Sequence, residues 1–315
     1  MLIDPAGRPI SYLRLSVTDR CDLRCVYCLG GAVRFVPRAQ ILSLEEIERA
    51  AAALIGLGIR RLRLTGGEPL LRRGLVGLAG RLAAHRGGGL DELTLTTNGT
   101  RLAEHAAALA AAGVGRINVS LDALSPDSYR RVTGGGRVAP VLEGIAAARA
   151  AGLAVRVNAL ALRGLIETEI DSLLAWCGGH GCDLAVIEPM PFGGPGLAPV
   201  PLAELRRSLE QRWTLRPDPF RSAGPARYVT VAETGGRLGF IAPISHGFCA
   251  GCNRLRLTAT GALFPCLAAE SSIDLRPALR EGGDLTATIR AAIAAKPAAA
   301  PGWPGSRRAL NLTGG

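Results

Sequence analysis

Apolar positions along the chain fall into two rhythms. Short runs alternate apolar and polar residues, as strands do. Longer stretches place apolar residues three and four apart, as helices do. Strand-like runs lie at Tyr12 to Val17, Arg60 to Thr65, Glu92 to Thr97, Arg116 to Asp122, Ala154 to Ala161 and Leu184 to Met190. Helical patterns fill the gaps. One opens at a capping box formed by Ser43 and Glu46 and runs to about Leu57, where Gly58 stops it. The others span Leu70 to Arg86, the stretch from Asn98 and Gly99 to Ala112, Val138 to Ala151, and Glu167 to Cys177. A shorter helix precedes the glycine turn at Gly134 to Gly136. Strand and helix alternate six times, which predicts an α/β fold with a parallel sheet and right-handed crossovers: an incomplete (β/α)6 TIM-type barrel.

The pattern breaks at Pro191 to Pro201, which is rich in Gly and Pro, and one more helix fits Leu202 to Trp213. Beyond Leu215, Arg227 to Ala232 and Arg237 to Ile241 flank Gly235 and Gly236 and predict a hairpin. Phe248 to Thr258 and Leu263 to Cys266 meet at a turn on Gly261, and Asp284 is placed to cap a helix from Leu285 to about Ala295. Residues 1–214 are therefore expected to form the partial barrel, and 215–315 a C-terminal β-hairpin and cluster-binding extension. Barrel active sites collect at the C-terminal ends of strands. Gly66 to Glu68, Thr96 to Asn98, Ser120, Asp122 and Glu188 to Met190 all fall there. Polar residues at strand ends also close turns, so the repetition carries more than any one position.

At 315 residues with 48% apolar content the chain can bury a sizeable core. Its longest uncharged apolar stretches, such as Ala106 to Gly115, are too short to span a membrane. No basic segment followed by an apolar run marks a secretory leader, so the cytoplasm is the expected compartment. Net charge is +11, and Lys296 is the only lysine in an arginine-dominated set of cations. Guanidinium forks suit an anionic substrate. A basic surface for nucleic acid competes, but aromatics are only 4% and no RNA-binding motif with interleaved aromatics appears. A general bias toward Arg and Ala also contributes.

Eight cysteines without a leader point to thiols or metal ligands rather than disulfides. Cys21, Cys25 and Cys28 form C-x3-C-x2-C directly after the first strand. Three thiolates can ligate three irons of a [4Fe–4S] cluster and leave the fourth iron open. Half a zinc site and three structural thiols are the alternatives, although zinc sites favour paired C-x2-C. Cys249, Cys252 and Cys266 form C-x2-C-x13-C, which fits either a zinc ribbon completed by His246 or a second cluster. Arg254 and Arg256 follow two and four residues after Cys252, so on a strand they share one face. Cys177 and Cys182 belong to neither set and read as core thiols.

The two cysteine sets, the Asn-Arg-x-Arg segment at 253–256 and the terminal Gly314 and Gly315 together resemble the GTP 3′,8-cyclase family of radical S-adenosylmethionine (SAM) enzymes, from Tyr12 to the end of the chain. The resemblance implies two [4Fe–4S] clusters, with SAM on the open iron of the first and the guanine edge on that of the second. It implies a 5′-deoxyadenosyl radical that takes the 3′ hydrogen of GTP, after which the ribose radical attacks guanine C8. Tyr27, Gly67, Ser120 and Met190 are expected at SAM. Arg14, Arg63, Thr96, Arg156, Arg254 and Arg256 are expected at GTP, with the two tail glycines reaching into the barrel. Expected partners are an external electron donor and a downstream cyclic pyranopterin monophosphate synthase; a homodimer is compatible, and neither nucleic acid nor a membrane is expected. Two positions depart from the family: Arg156 stands where lysine is usual, and Ala185 where arginine is usual. The loop at Leu29 to Gly31 is also short. Rival readings are a peptide-modifying radical SAM enzyme, which would carry more C-terminal cysteines, and a zinc-ribbon nucleic-acid-binding protein.

Overall fold

The structure, a computed structural model, describes residues 1–28, 35–191, 198–222 and 224–300. The loop at Leu29 to Gly31 and the Gly314–Gly315 tail lie outside the described residues.

Two short strands, β1 (Leu2–Ile3) and β2 (Pro9–Ile10), pair at the N-terminus. The six expected strands follow as β3 (Tyr12–Ser16), β4 (Arg61–Thr65), β5 (Glu92–Thr97), β6 (Arg116–Ser120), β7 (Ala154–Leu160) and β8 (Asp183–Ile187). Then come β9 (Leu215–Pro217), β10 (Arg227–Val231), β11 (Arg237–Ile241), β12 (Arg254–Leu257), β13 (Ala262–Phe264) and β14 (Ile273–Asp274). Helices α1 (Leu44–Gly56), α2 (Leu75–Ala83), α3 (Leu102–Ala111), α5 (Ala139–Ala150) and α6 (Ile166–Gly179) connect the parallel strands, with α4 (Pro126–Thr133) inserted after β6. Helices α7 (Leu202–Glu210), α8 (Arg276–Arg280) and α9 (Leu285–Ala294) belong to the C-terminal third.

The sheet order is β14-β13-β12-β3-β4-β5-β6-β7-β8-β11-β10-β9, which is an α/β partial barrel whose two edges do not join. The C-terminal extension is not a separate layer. Strand β12 pairs in parallel with β3, and β11 in parallel with β8, so the six-stranded centre gains one parallel strand on each flank. Helices cover one face of the sheet, so β3 to β7 alternate, with Leu, Ile and Val toward the helices and Arg14, Arg63, Thr96 and Arg156 toward the other face. Leu13, Leu15, Leu62, Leu64, Leu93, Leu95 and Val119 are fully buried in one continuous core with the inner faces of the helices.

The capping box at Ser43 and Glu46 forms as expected. The expected helix from Leu70 to Arg86 does not form as one piece. Pro69 starts a short 3-10 turn over Pro69–Leu71, the chain breaks at Gly74 with φ of 83°, and α2 begins at Leu75. No helix among the described residues is long and apolar enough to cross a membrane.

Candidate active site

After β3 the chain turns over the C-terminal end of the sheet and pairs with the loop after β4. Gly67 N–H donates to Thr18 O and Glu68 N–H to Arg20 O, both at 2.7 Å. A Cβ at Gly67 would sit 2.3 Å from Arg20 O, and one at Gly66 2.7 Å from Thr18 O. Only glycine permits so close an approach of two backbones. The cysteine loop is thus held on the Gly66–Gly67 loop. Glu68 anchors that loop from below. It is fully buried, and its carboxylate accepts the Leu70 N–H (2.9 Å), the Asn98 N–H (2.7 Å) and the Thr97 hydroxyl (2.7 Å). Burial outweighs these bonds and pushes the carboxyl up to about 7.

Cys21, Cys25 and Cys28 are half-buried; Cys28 acts on Cys21, and both Cys28 and Cys21 act on Cys25. Burial, then the Glu68 and Asp22 carboxylates, pushes the Cys21 thiol up to about 12. Burial and Asp122 push Cys25 up as well. Such thiols would lose their protons when a metal cation binds the sulfur, the protons passing to solvent.

Beside this loop a cavity of about 270 Å³ opens among the strand ends. Tyr27, Ser120, Met190, Arg14, Arg63, Thr96, Arg156, Arg254 and Arg256 all line it, as do Cys249, Cys252 and Cys266. The structure therefore brings both expected ligand sets and the second cysteine set to one space. Gly67, Cys21, Cys25 and Cys28 are not on its wall; they form the adjoining loop pair described above.

Arg256, Arg14 and Arg63 are register partners on β12, β3 and β4, so three guanidiniums project from one rung of neighbouring parallel strands. Strands lie about 4.8 Å apart, which is close quarters for like charges. Burial lowers Arg63 and Arg256 to about 10, and the crowding of Arg256 and Arg63 adds to burial in lowering Arg14. Guanidinium does not release its proton under physiological conditions, so this pressure is expressed as demand for a counter-anion. Arg156, on β7, is 4% exposed; its Nε donates to Asn158 Oδ1 (3.1 Å) and its Nη1 to the Tyr228 hydroxyl (2.9 Å). Ala185 is the register partner of Asn158 and Gly239 and is fully buried, and β8 reaches the cavity wall through Ile187. The Tyr228 ring would lie 2.9 Å from a Cβ at Gly239.

At the second cysteine set, burial alone would raise Cys252, but Lys296, Arg254 and Arg8 hold the thiol below its ordinary value. His246 is exposed and does not line the cavity, so it does not join the three cysteines as a zinc-ribbon ligand.

Residues 15–177 match the Radical SAM superfamily, and residues 182–301 match Molybdenum Cofactor Synthesis C. The chain is 52% identical over 303 residues to the GTP 3′,8-cyclase of Erythrobacter litoralis, covering 94% of this chain and 91% of that protein. It is 54% identical over 306 residues to that of Rhodobacter capsulatus, with the same two coverages. The chain belongs to the GTP 3′,8-cyclase family. The match to the Caulobacter vibrioides GTP 3′,8-cyclase spans all of this chain at 50% identity. Among solved structures, Streptococcus suis SuiB bound to S-adenosylmethionine shares the fold, with a TM-score of 0.62 and 19% identity over 90% of this chain and 68% of that one.

The groups that a GTP 3′,8-cyclase uses fit the residues present. Each cysteine set offers three soft thiols, a donor set suited to an iron–sulfur cluster. Residues of the cavity wall also carry orphaned buried polar atoms: the Tyr12 hydroxyl, the Thr96 hydroxyl and Arg254 Nε have no hydrogen-bond partner among the described residues.

Sequence reading did not single out Tyr12, Asn158, Lys296 or Arg8 for this site, and it noted Asp122 only as a strand-end residue. Asp122 accepts the Tyr27 hydroxyl (2.7 Å) and the Leu160 N–H (2.8 Å), which fixes the aromatic of the cysteine loop against β7. Its signal was the period-two extension of β6. Glu188, by contrast, closes a turn: it accepts from Ile244 N–H (2.8 Å) and Ser245 N–H (3.0 Å). Cys177 and Cys182 are 2% and 3% exposed, and burial raises both thiols, as befits core positions.

Gly67→Ala is expected to lower stability by about 1–3 kcal/mol or more, since the methyl meets backbone that cannot step aside. Denaturant midpoints and iron content after reconstitution should both fall; unchanged values would refute the close-approach argument. Glu68 gives a pH signature. Its folded value of about 7 lies above the ordinary 4.5, so its contribution to stability is full below about 4.5 and lost as pH rises through about 7. Glu68→Gln should flatten that part of the apo-protein stability profile, read as denaturant midpoint against pH.

Proposed function

We propose that the chain converts GTP to (8S)-3′,8-cyclo-7,8-dihydroguanosine 5′-triphosphate, the first step of molybdenum cofactor biosynthesis. The observation that carries this reading is one cavity lined by the second three-cysteine set, a rung of arginines and Tyr27 of the adjoining first cysteine loop.

Cys21, Cys25 and Cys28 would hold one [4Fe–4S] cluster, and Cys249, Cys252 and Cys266 a second. The first supplies, when bound, the electron that splits SAM into methionine and a 5′-deoxyadenosyl radical. The chain's own residues do the rest of the positioning. Tyr27, braced by Asp122, together with Gly67, Ser120 and Met190, holds SAM at the mouth of the cysteine loop. Arg256, Arg14 and Arg63 receive the triphosphate, each charge-assisted bond contributing about 1.5–3 kcal/mol in so enclosed a site. Thr96, Arg156 and Arg254 complete the grip on GTP. Arg156 reaches the cavity from β7 with its fork oriented by Tyr228 and Asn158, which suits it to a site where Ala185 offers no cation. An external reductant provides electrons, and a cyclic pyranopterin monophosphate synthase consumes the product in the cytoplasm.

The direct experiment is anaerobic incubation of reconstituted protein with SAM, reductant and GTP, followed by product analysis. About eight irons per chain and the cyclised nucleotide are expected; tightly bound zinc and unaltered GTP would overturn the reading. Cys21→Ala is expected to abolish 5′-deoxyadenosine formation. Arg254→Ala and Arg256→Ala are expected to weaken GTP binding at least tenfold each, measured by titration calorimetry, while SAM cleavage persists.

A further inference from the structure

Lys296 is the only lysine of the chain, and it is one of the few buried charges. It follows α9 and is 4% exposed. Its ammonium has three acceptors for three protons: Pro265 O (2.5 Å), Arg254 O (3.0 Å) and Cys252 Sγ (3.7 Å). Pro265 precedes Cys266, and Arg254 follows Cys252 by two residues, so one nitrogen ties together two arms of the second cysteine set. The third arm is tied from the same segment. Arg8 Nη1 donates to Cys249 O (2.7 Å) and to Ala298 O (2.6 Å), and Nη2 donates to Pro297 O (2.6 Å), while Asp4 pairs with Arg8 Nε at 2.6 Å. Residues 296–298 therefore brace all three cysteines.

In a chain otherwise committed to arginine, the compact ammonium stands where three acceptors surround a single point. A planar fork would aim its protons in two directions and match that tripod poorly. A buried cation is stable only beside compensating negative charge. The carbonyls supply dipoles; Cys252 supplies the charge once it is a thiolate.

We infer that Lys296 is a positioning and charge-compensating residue for the second cluster, donating to the Cys252 sulfur and favouring the cluster form with one more electron. This rests on the reading of Cys249, Cys252 and Cys266 as cluster ligands. Hydrogen bonds to ligand sulfur and net local charge are the two levers by which a protein raises an iron–sulfur reduction potential, and this side chain exerts both. It acts through the ligand, from outside the GTP contacts.

The test isolates the second cluster in full-length protein carrying C21A, C25A and C28A. With 15N-lysine incorporated, electron spin-echo modulation of the reduced cluster reads one nitrogen, because one lysine exists. A lysine-nitrogen modulation is expected; its absence in iron-loaded protein overturns the inference. Protein that takes up no iron in this background instead refutes the cluster reading itself. In the same background Lys296→Met should lower the reduction midpoint, with circular dichroism unchanged. An unchanged midpoint at full iron content would also overturn the inference. If that variant does not fold, the labelled unsubstituted lysine decides.

Discussion

The structure turns on three like charges held side by side under cover. Arg256, Arg14 and Arg63 occupy one rung of three neighbouring parallel strands, at the rim of a cavity of about 270 Å³. Desolvation acts against all three, and repulsion from neighbouring guanidiniums adds to it: Arg256 and Arg63 on Arg14, Arg156 on Arg63, and Arg254 on Arg256. Packing of the surrounding sheet holds the three in place against that cost. Same face and same depth follow from parallel register on neighbouring strands.

The rung exists because the C-terminal third does not stand apart from the barrel. Strand β12 adds to β3 on one flank and β11 to β8 on the other. The first addition delivers Arg254 and Arg256 beside Arg14, and carries the second cysteine set to the same cavity. The second delivers Tyr228, through the β10–β11 hairpin, to Arg156. A sheet of this kind collects its reactive residues at the C-terminal strand ends. Here the first cysteine set follows β3 at that end, whereas Cys249 and Cys252 precede β12 and Cys266 follows the antiparallel β13, so the second set lies at the opposite end with the arginine rung between them. The first set gains rigidity from two backbones in contact at Gly66 and Gly67, and the second from Arg8 and Lys296.

Much of this was legible in the sequence because it is local. The period-two runs located β3 to β8 within a few residues, the capping box marked the start of α1, and cysteine spacing named both ligand sets. Non-local features were not legible. The Leu70 to Arg86 stretch has helical spacing, yet Pro69 and the left-handed Gly74 divide it. Arg254 and Arg256 could be assigned to one face of a strand, but their alignment with Arg14 and Arg63 depends on which strands pair. Tyr12, Asp122 and Asn158 join the site through strands far apart in the chain. Lys296 gave one signal, its uniqueness among arginines, whose meaning appears only with Cys252 and Pro265 beside it.

The central claim is that the arginine rung is built for a chain of phosphates. Titration calorimetry of the reconstituted protein with GTP, GDP, GMP and guanosine tests it most directly. The account predicts that affinity falls stepwise as phosphates are removed, by at least tenfold per lost charge-assisted contact. Equal affinity for guanosine and GTP would contradict it.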